Sequence, residues 1–551
     1  MITVSQAIVE FLKAQGIRHL FGKIGEDVLP ILDQLTTEQS IQFISTYREE
    51  AAVVMADGYA RVTGLPALVL LSGGGPVTRT VAAMEQACCD GSPVILLCGE
   101  TARDRIYAEQ PAEYQNPLGP LFQMARSSFR VTNPDKAVYT LEQTYRSAAS
   151  GKKGPCYCGI PRDLLSMETS EKIRHYSRFM ASGLSTGDPT FIRQACELLV
   201  QSQRPVVLLG GGVVWSHAST EAMDLAEFLF APIVTSNGKS GIVPEDYPLS
   251  VGRLGSKANR MALETLAEAD VVVCFGCTLN RQTTFGFSQD IFSPDVKMIQ
   301  IDIDPLQIGR NYPAALGIVG DAKLVLKEML VQLRQMGVEK WPSRVIQRMQ
   351  KVWERKEGWN REWGPIAQAV DKPIRRLRLL KELSDELGRE GIIFGELEWK
   401  HCLTTAFFPL IESYDFTFPG AHFPLAMGAK LAFPDRPIAA VLGDGQFTTV
   451  LTEIATAVEH RISVLAVIAR NGCYGSAKAA QIQFHGARYI GVDHPYPNFA
   501  EVALSLGAYG EQVESPLDIR PAIRRALESN RPSVIEVIVS SSIADLKPAF
   551  E

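Results

Sequence analysis

Two short turns in the last quarter of the chain carry the oxygen groups of a metal and phosphate site. Gly443-Asp444-Gly445 ends an apolar run, Ile438 to Leu442, and Asn471-Gly472 ends a second, Ile462 to Ala469; the Asn stands 27 residues after the Asp. Gln446 to about Glu459 has helical period, so the segment predicts strand, glycine turn, helix, strand. Both strands of such a right-handed unit end on one edge of a parallel sheet, which sets Asp444 opposite Asn471. The adjoining helix N-terminus offers unpaired N–H groups and a positive dipole end suited to a phosphate. One carboxylate and one amide oxygen beside a phosphate form the sparse oxygen set that Mg²⁺ prefers. The same residues also suit a plainer use, a βα turn with a helix cap.

The elements that must position these turns recur along the chain. Pro66–Gly99 reads LVLLSGGG, a helical stretch, then SPVILLCG; Arg204–Gly238 reads PVVLLGGG, helix, APIVTSNG; Arg436–Asn471 is the third copy. Each marks a doubly wound α/β unit, so the fold class is three parallel-sheet domains. The pattern breaks at 167–190, which is polar with Gly and Pro, and at 336–373, which is charged, dotted with Trp and expected to lie as helix across the surface. This gives domains at 1–167, 188–335 and 373–545.

At 551 residues and 46% hydrophobic content the chain can build about three or four full cores. A net charge of −6 without a basic cluster points away from nucleic acid. TVSQAIVEFLKAQGI is too polar for a signal core, and no apolar run nears the roughly 18 residues of a membrane span. Ten cysteines show no framework spacing; Cys274 and Cys277 end an apolar strand and read as buried thiols. A cytoplasmic protein is expected.

GDG followed by NGCYG at this spacing resembles the thiamine-diphosphate signature of the acetolactate synthase, benzaldehyde lyase and 2-oxo-acid decarboxylase superfamily. A second match, Tyr47-Arg48-Glu49-Glu50-Ala51-Ala52 through Met55-Ala56-Asp57-Gly58-Tyr59-Ala60-Arg61, is similar to that family's glutamate helix. The resemblance covers essentially the whole chain and implies pyrimidine-binding, middle and diphosphate-binding domains. It implies Mg²⁺ ligands at Asp444, Asn471 and the carbonyl of Cys473, with Gly443, Gly445, Tyr474 and Gly475 around the diphosphate. The first Asn of the family's usual pair is Arg470 here. It also implies that Glu49, eight residues before Asp57, is the carboxylate that activates the cofactor by holding its aminopyrimidine nitrogen. Small apolar residues at helix spacing around Glu49 predict a packed helix and a partly desolvated carboxylate.

Specificity is read from departures. Glu26, in the loop Phe21–Asp27, falls where decarboxylase relatives carry an acid or hydroxyl; a proton shuttle and a helix-start acid are both open there. Gln115, in EQPAEYQNP, lies near the synthases' pocket Gln, and this stretch lacks the histidine pair of pyruvate decarboxylases. Pro419 stands at the bulky residue that props the cofactor. His422 follows on the same turn, catalytic or structural. Gly210-Gly211-Gly212 reads as structural, with FAD or another nucleotide in the middle domain as the alternative. The expected activity is a carboligase joining an acyl-anion equivalent, from a 2-oxo acid or aldehyde, to a second carbonyl compound. The alternatives are a non-oxidative 2-oxo-acid decarboxylase and an inactive cofactor-binding homologue. The resemblance implies a homodimer or homotetramer with sites between subunits.

Overall fold

Each glycine-turn segment becomes a pair of neighbouring parallel strands. The computed structural model describes residues 2–105, 124–170, 184–239, 241–244, 246–255, 260–337, 343–395 and 420–541. The first sheet holds β1 (His19–Gly22), β2 (Gln42–Ser45), β3 (Ala67–Ser72), β4 (Val94–Glu100), β5 (Ser127–Arg130) and β6 (Cys156–Pro161), in spatial order β2-β1-β3-β4-β6-β5. The middle sheet holds β7 (Pro205–Leu209), β8 (Ile233–Thr235), β9 (Ser250–Arg253), β10 (Val271–Phe275), β11 (Lys297–Asp302) and β12 (Leu316–Val319), in order β9-β8-β7-β10-β11-β12. The third holds β13 (Ile392–Gly395), β14 (Ile438–Gly443), β15 (Leu465–Arg470), β16 (Tyr509–Val513) and β17 (Ser533–Ile538), in order β13-β14-β15-β17-β16. All three sheets are parallel, and their central strands are apolar on both faces because helices cover both. The three doubly wound domains expected from the repeats are therefore present.

The first and third domains share one core. Phe21, Met55 and Leu96 belong to the same buried cluster as Phe423, Phe447 and Ile468. At its centre the helix Glu49–Thr63 crosses the helix His422–Ala432. A β-carbon on Gly58 would overlap the Leu425 carbonyl, and one on Gly428 would overlap the Met55 carbonyl. The crossing is thus closed to any larger residue. The helix Glu49–Thr63 is buried nearly all round, as a helix between two domains must be.

A buried ion cluster ties the same helix to the middle domain. Arg61 binds Asp57 through two bonds of 2.7 Å and Asp90 through one of 2.6 Å. Lys239 reaches Asp90 at 3.0 Å, and the Trp215 indole donates to the Asp90 carbonyl at 3.0 Å. Burial raises the cost of the Asp90 charge, but Arg61 and Lys239 hold its carboxyl below the usual range.

Of two segments read in detail, the first is helical as expected and the second differs. The charged, Trp-dotted stretch is the helix Ser343–Ala367, with Val352 and Trp359 buried against the middle domain and Trp353 left in solvent. The helix expected after Gly445 is two helices, Asp444–Thr449 and Glu453–Glu459. Four β-branched residues, Thr448, Thr449, Val450 and Thr452, stand at the break, and Thr448 and Thr449 bond back to the Asp444 and Gln446 carbonyls.

Gly428→Ala should lower the thermal midpoint through overpacking, at a cost of about 1–3 kcal/mol. Gly358→Ala, in the Ser343–Ala367 helix with no atom within 4 Å of a new β-carbon, should hold or raise the midpoint because alanine is the better helix former. Equal midpoints for wild type and Gly428→Ala in a thermal melt would remove the crossing as a constraint.

Candidate functional site

Asp444 begins a helix where β14 ends, and Asn471 follows β15, the strand paired beside it with Gly443 opposite Ala469. The Asp444 side chain crosses that edge. One carboxylate oxygen accepts the Gly445 N–H at 2.8 Å; the other accepts from the Asn471 N–H at 3.0 Å and the Gly472 N–H at 2.7 Å. Asp444 is only 2% exposed. Burial pushes its carboxyl above the ordinary aspartate value, against the pull of those three N–H groups and of Arg470. A buried carboxylate in that state gains from a cation.

The Asn471 side-chain oxygen accepts the Cys473 N–H at 3.1 Å, which folds the 471–475 turn around it. Tyr474 N–H donates to the Val492 carbonyl and His494 N–H to the Gly472 carbonyl, so this turn is held by the segment 491–494. Gly475 opens the helix Gly475–His485, and Gln446 accepts the Gly443 N–H at 3.0 Å. Gly445 must be glycine: a β-carbon there would overlap the Tyr474 ring and stand 2.9 Å from the Tyr496 hydroxyl. Arg470 turns away from the edge to the fully buried Glu536, at 2.7 Å, and to the Tyr496 carbonyl, at 2.9 Å. It therefore leaves Asn471 the position next to Asp444. Among the described residues no group of three or more His, Cys, Asp or Glu gathers as a metal site. A cation at Asp444 would need the amide oxygen, a main-chain carbonyl and the ligand's own oxygens.

At the first sheet's carboxyl edge, Glu49 opens its helix and is 4% exposed. Arg79 Nη1 stands 3.3 and 3.1 Å from its two oxygens, and Lys23 Nζ 3.4 Å from one. Burial opposes its charge, yet its own helix N–H, Arg79 and Lys23 together keep its carboxyl below the usual range. Glu50, equally buried, pairs instead with Arg48 at 2.6 Å. The neighbouring acids thus have separate partners, and Arg48 is not the counter-ion of Glu49.

The two edges are joined within the chain behind Glu49. The carboxyl of Glu453 is pushed up by burial, against the Thr456 hydroxyl at 2.7 Å, the Thr452 hydroxyl at 3.4 Å and the nearby main chain of Tyr47 and Arg48. Arg48 also donates to the Thr449 carbonyl at 3.2 Å, and the His460 ring lies 3.0 Å from the Ser45 carbonyl. Among the described residues, the hydrogen-bond and ion-pair partners of the Glu49 side chain all belong to its own domain.

The remaining candidates fall in different places. Glu26 is largely exposed and pairs with Arg162 at 2.9 Å. His422 is fully buried at the start of its helix, so its ring faces packing rather than solvent. Gln115 and Pro419 lie outside the described residues. In the middle domain a β-carbon on Gly210 or Gly212 would run into the turn after β10, at Gly276. Close packing of two turns therefore accounts for those glycines. A cavity of about 850 Å³ opens at this edge toward the first domain, bordered by Trp215, Lys239, Asp302, Arg310 and Lys323. Lys23, Arg79, Glu453 and Tyr496 were not legible as site residues. Lys23 had a signal, a cation one residue past a strand end, whereas the others meet the site only through the fold.

Three family models match in succession. They are the N-terminal TPP binding domain of thiamine pyrophosphate enzymes over residues 2–123, the central domain over 192–329 and the C-terminal TPP binding domain over 401–537. A probable acetolactate synthase large subunit of Methanocaldococcus jannaschii is 30% identical, over 98% of this chain and 92% of that protein. A sulfoacetaldehyde acetyltransferase of Alcaligenes xylosoxydans xylosoxydans is 29% identical, over 99% and 94%. The acetolactate synthase isozyme 3 large subunit of Escherichia coli (strain K12) is 27% identical, over 98% and 96%. With its three successive α/β domains and full-length likeness to these proteins, the chain belongs to the thiamine pyrophosphate enzyme family.

Proposed function

We propose that this chain is an acetolactate-synthase-like carboligase that uses thiamine diphosphate and Mg²⁺ to join an acyl unit, from a 2-oxo acid or aldehyde, to a second carbonyl compound. The observation that carries the reading is the pair of buried carboxylates, Glu49 and Asp444, at the carboxyl edges of two sheets that share one core. The full-length likeness to acetolactate synthases supports joining over simple release of an aldehyde.

The residues present fit the cofactor. Asp444 is a buried carboxylate short of positive charge, beside an amide oxygen and a turn at Gly445 that admits no side chain. Asp444, Asn471 and the Cys473 carbonyl would hold Mg²⁺ against the diphosphate, with Gly443, Gly445, Tyr474 and Gly475 around it. When bound, thiamine diphosphate supplies a nucleophilic thiazolium carbon that can carry an acyl unit. Glu49 would hold a proton at the aminopyrimidine nitrogen, and its burial would keep water from competing for that hydrogen bond. Glu26 stands on the loop after β1, as a further proton-handling group at the same edge.

A site between subunits suits two further features. The Glu49 carboxylate turns to partners of its own domain, leaving its cofactor-facing side to a partner's third domain. The helix Gly475–His485 buries none of its residues; its Phe484 stands 70% exposed and Ile490, just past its end, 82%. A homodimer or dimer of dimers would cover them. No described helix is long and apolar enough to cross a membrane. A cytoplasmic enzyme is in keeping with buried, unpaired cysteines such as Cys274 and Cys277.

Product analysis with a panel of 2-oxo acids, with and without added aldehydes, should yield hydroxyketone or hydroxy-oxo-acid products. Release of aldehyde alone would favour the decarboxylase, and turnover of nothing the inactive homologue. Asp444→Ala should abolish retention of thiamine diphosphate and Mg²⁺, and Asn471→Ala should weaken it less, since a neutral ligand is lost; unchanged affinities in calorimetry would end the metal assignment. For assembly, Glu49→Gln and Asp444→Ala subunits, each inactive, should on equal mixing restore roughly a quarter of wild-type activity, because only mixed dimers hold one intact site. No recovery from subunits shown to exchange would place the site within one chain.

A further inference from the structure

At the carboxyl edge of the first sheet, β1 and β3 are neighbours whose following segments depart to opposite sides, toward β2 and β4. That divergence opens the crevice in which such sheets take their ligands. Two cations enter it. Lys23 follows β1 directly, and Arg79 lies on the segment after β3. Lys23 is anchored twice, to the Tyr47 carbonyl at 2.9 Å and to Glu49 at 3.4 Å. Arg79 is held differently. Both of its bonds to Glu49 come from the same nitrogen, Nη1. Its Nε–Nη2 edge has no partner among the described residues, and its side chain is 63% exposed.

We propose that Arg79 recognises the carboxylate of an anionic substrate, such as a 2-oxo acid, while Lys23 remains on Glu49 as its fixed counter-ion. The proposal rests on the thiamine-diphosphate reading of the site. Glu49 answers only one of the two cations, Lys23 and Arg79, and any group that takes a Glu49 oxygen would loosen Arg79 further. The free Nε–Nη2 edge is the planar two-donor fork that matches a carboxylate in bidentate geometry. A neutral aldehyde has no group to use it. Arg79 therefore divides substrates by charge.

The test titrates the holoenzyme with oxamate, an unreactive carboxylate shaped like a small 2-oxo acid, and with its neutral ester ethyl oxamate. Arg79→Gln should weaken oxamate binding at least tenfold and the ester by less than threefold in calorimetry. Arg79→Lys, which keeps the charge and loses the fork, should fall between, and it carries the test if Arg79→Gln does not fold. In steady-state assays Arg79→Gln should raise KM for pyruvate far more than it lowers kcat. Oxamate binding equal to wild type, an equal loss for oxamate and ester, or no oxamate binding by wild type each overturns the proposal. If wild type turns over no member of the substrate panel, the carboligase reading fails, while the oxamate titration still judges Arg79.

Discussion

The close crossing of two helices at Gly58 and Gly428 is the constraint on which the rest of this molecule depends. With no β-carbon on either side, the helix Glu49–Thr63 and the helix His422–Ala432 approach backbone to backbone, and two sheets close over one core. The first helix carries Glu49 at its start, and the second packs through Phe423 on Phe447, three residues after Asp444. A shift at the crossing would displace both carboxylates, and so both of the parts that each chain brings to a site. Precision at the site is thus set in an apolar contact that has no chemistry of its own.

Several carboxylates are buried around this core, and their different surroundings give them different uses. Asp90 is fully compensated by Arg61 and Lys239 and serves to clamp the middle domain onto the Glu49 helix. Glu453 is met by the Thr456 and Thr452 hydroxyls beneath the main chain of the turn just before Glu49. Asp444 meets three N–H groups and the more distant charge of Arg470, and burial still dominates; it lies on the sheet edge beside the Asn471 amide oxygen, where a cation could be held. Glu49 has two cations but an open position on its edge of the sheet, and so remains charged and available. Burial is common to all four; the partner decides whether the group is a clamp, a turn lock or a ligand.

The middle domain shows how one feature supports two readings until the fold is known. A triple glycine after a strand suits a dinucleotide loop, yet Gly210 and Gly212 are needed where two turns touch at Gly276. The open space at that edge lies beside the glycines and is bordered by both the first and middle domains, a geometry that a single strand-turn pattern does not describe.

The local patterns were legible because they depend on near neighbours in the chain. Apolar runs ending in glycine, with helix-period stretches between them, specified three parallel α/β units, and the 27-residue spacing put Asp444 and Asn471 on one sheet edge, where a 3.0 Å bond now joins them. The resemblance, counted back from Asp57, singled out Glu49 over Glu50, and the two acids have separate partners. What depended on distant segments was not legible. The break at Thr448–Thr452 came from side chains bonding back to the helix, a competition that periodicity does not register. The turn at His422 suggested a residue catalytic or structural; that its side chain is fully buried depends on the joint core and not on the turn. Lys23 and Arg79 reach Glu49 from two other loops, because β1, β2 and β3 lie side by side in an order that only strand packing sets. Sequence by itself determined the units and the chemical groups at their ends; tertiary structure decided which charges meet, because partners from different loops are chosen by the shape of the closed core and not by their spacing along the chain.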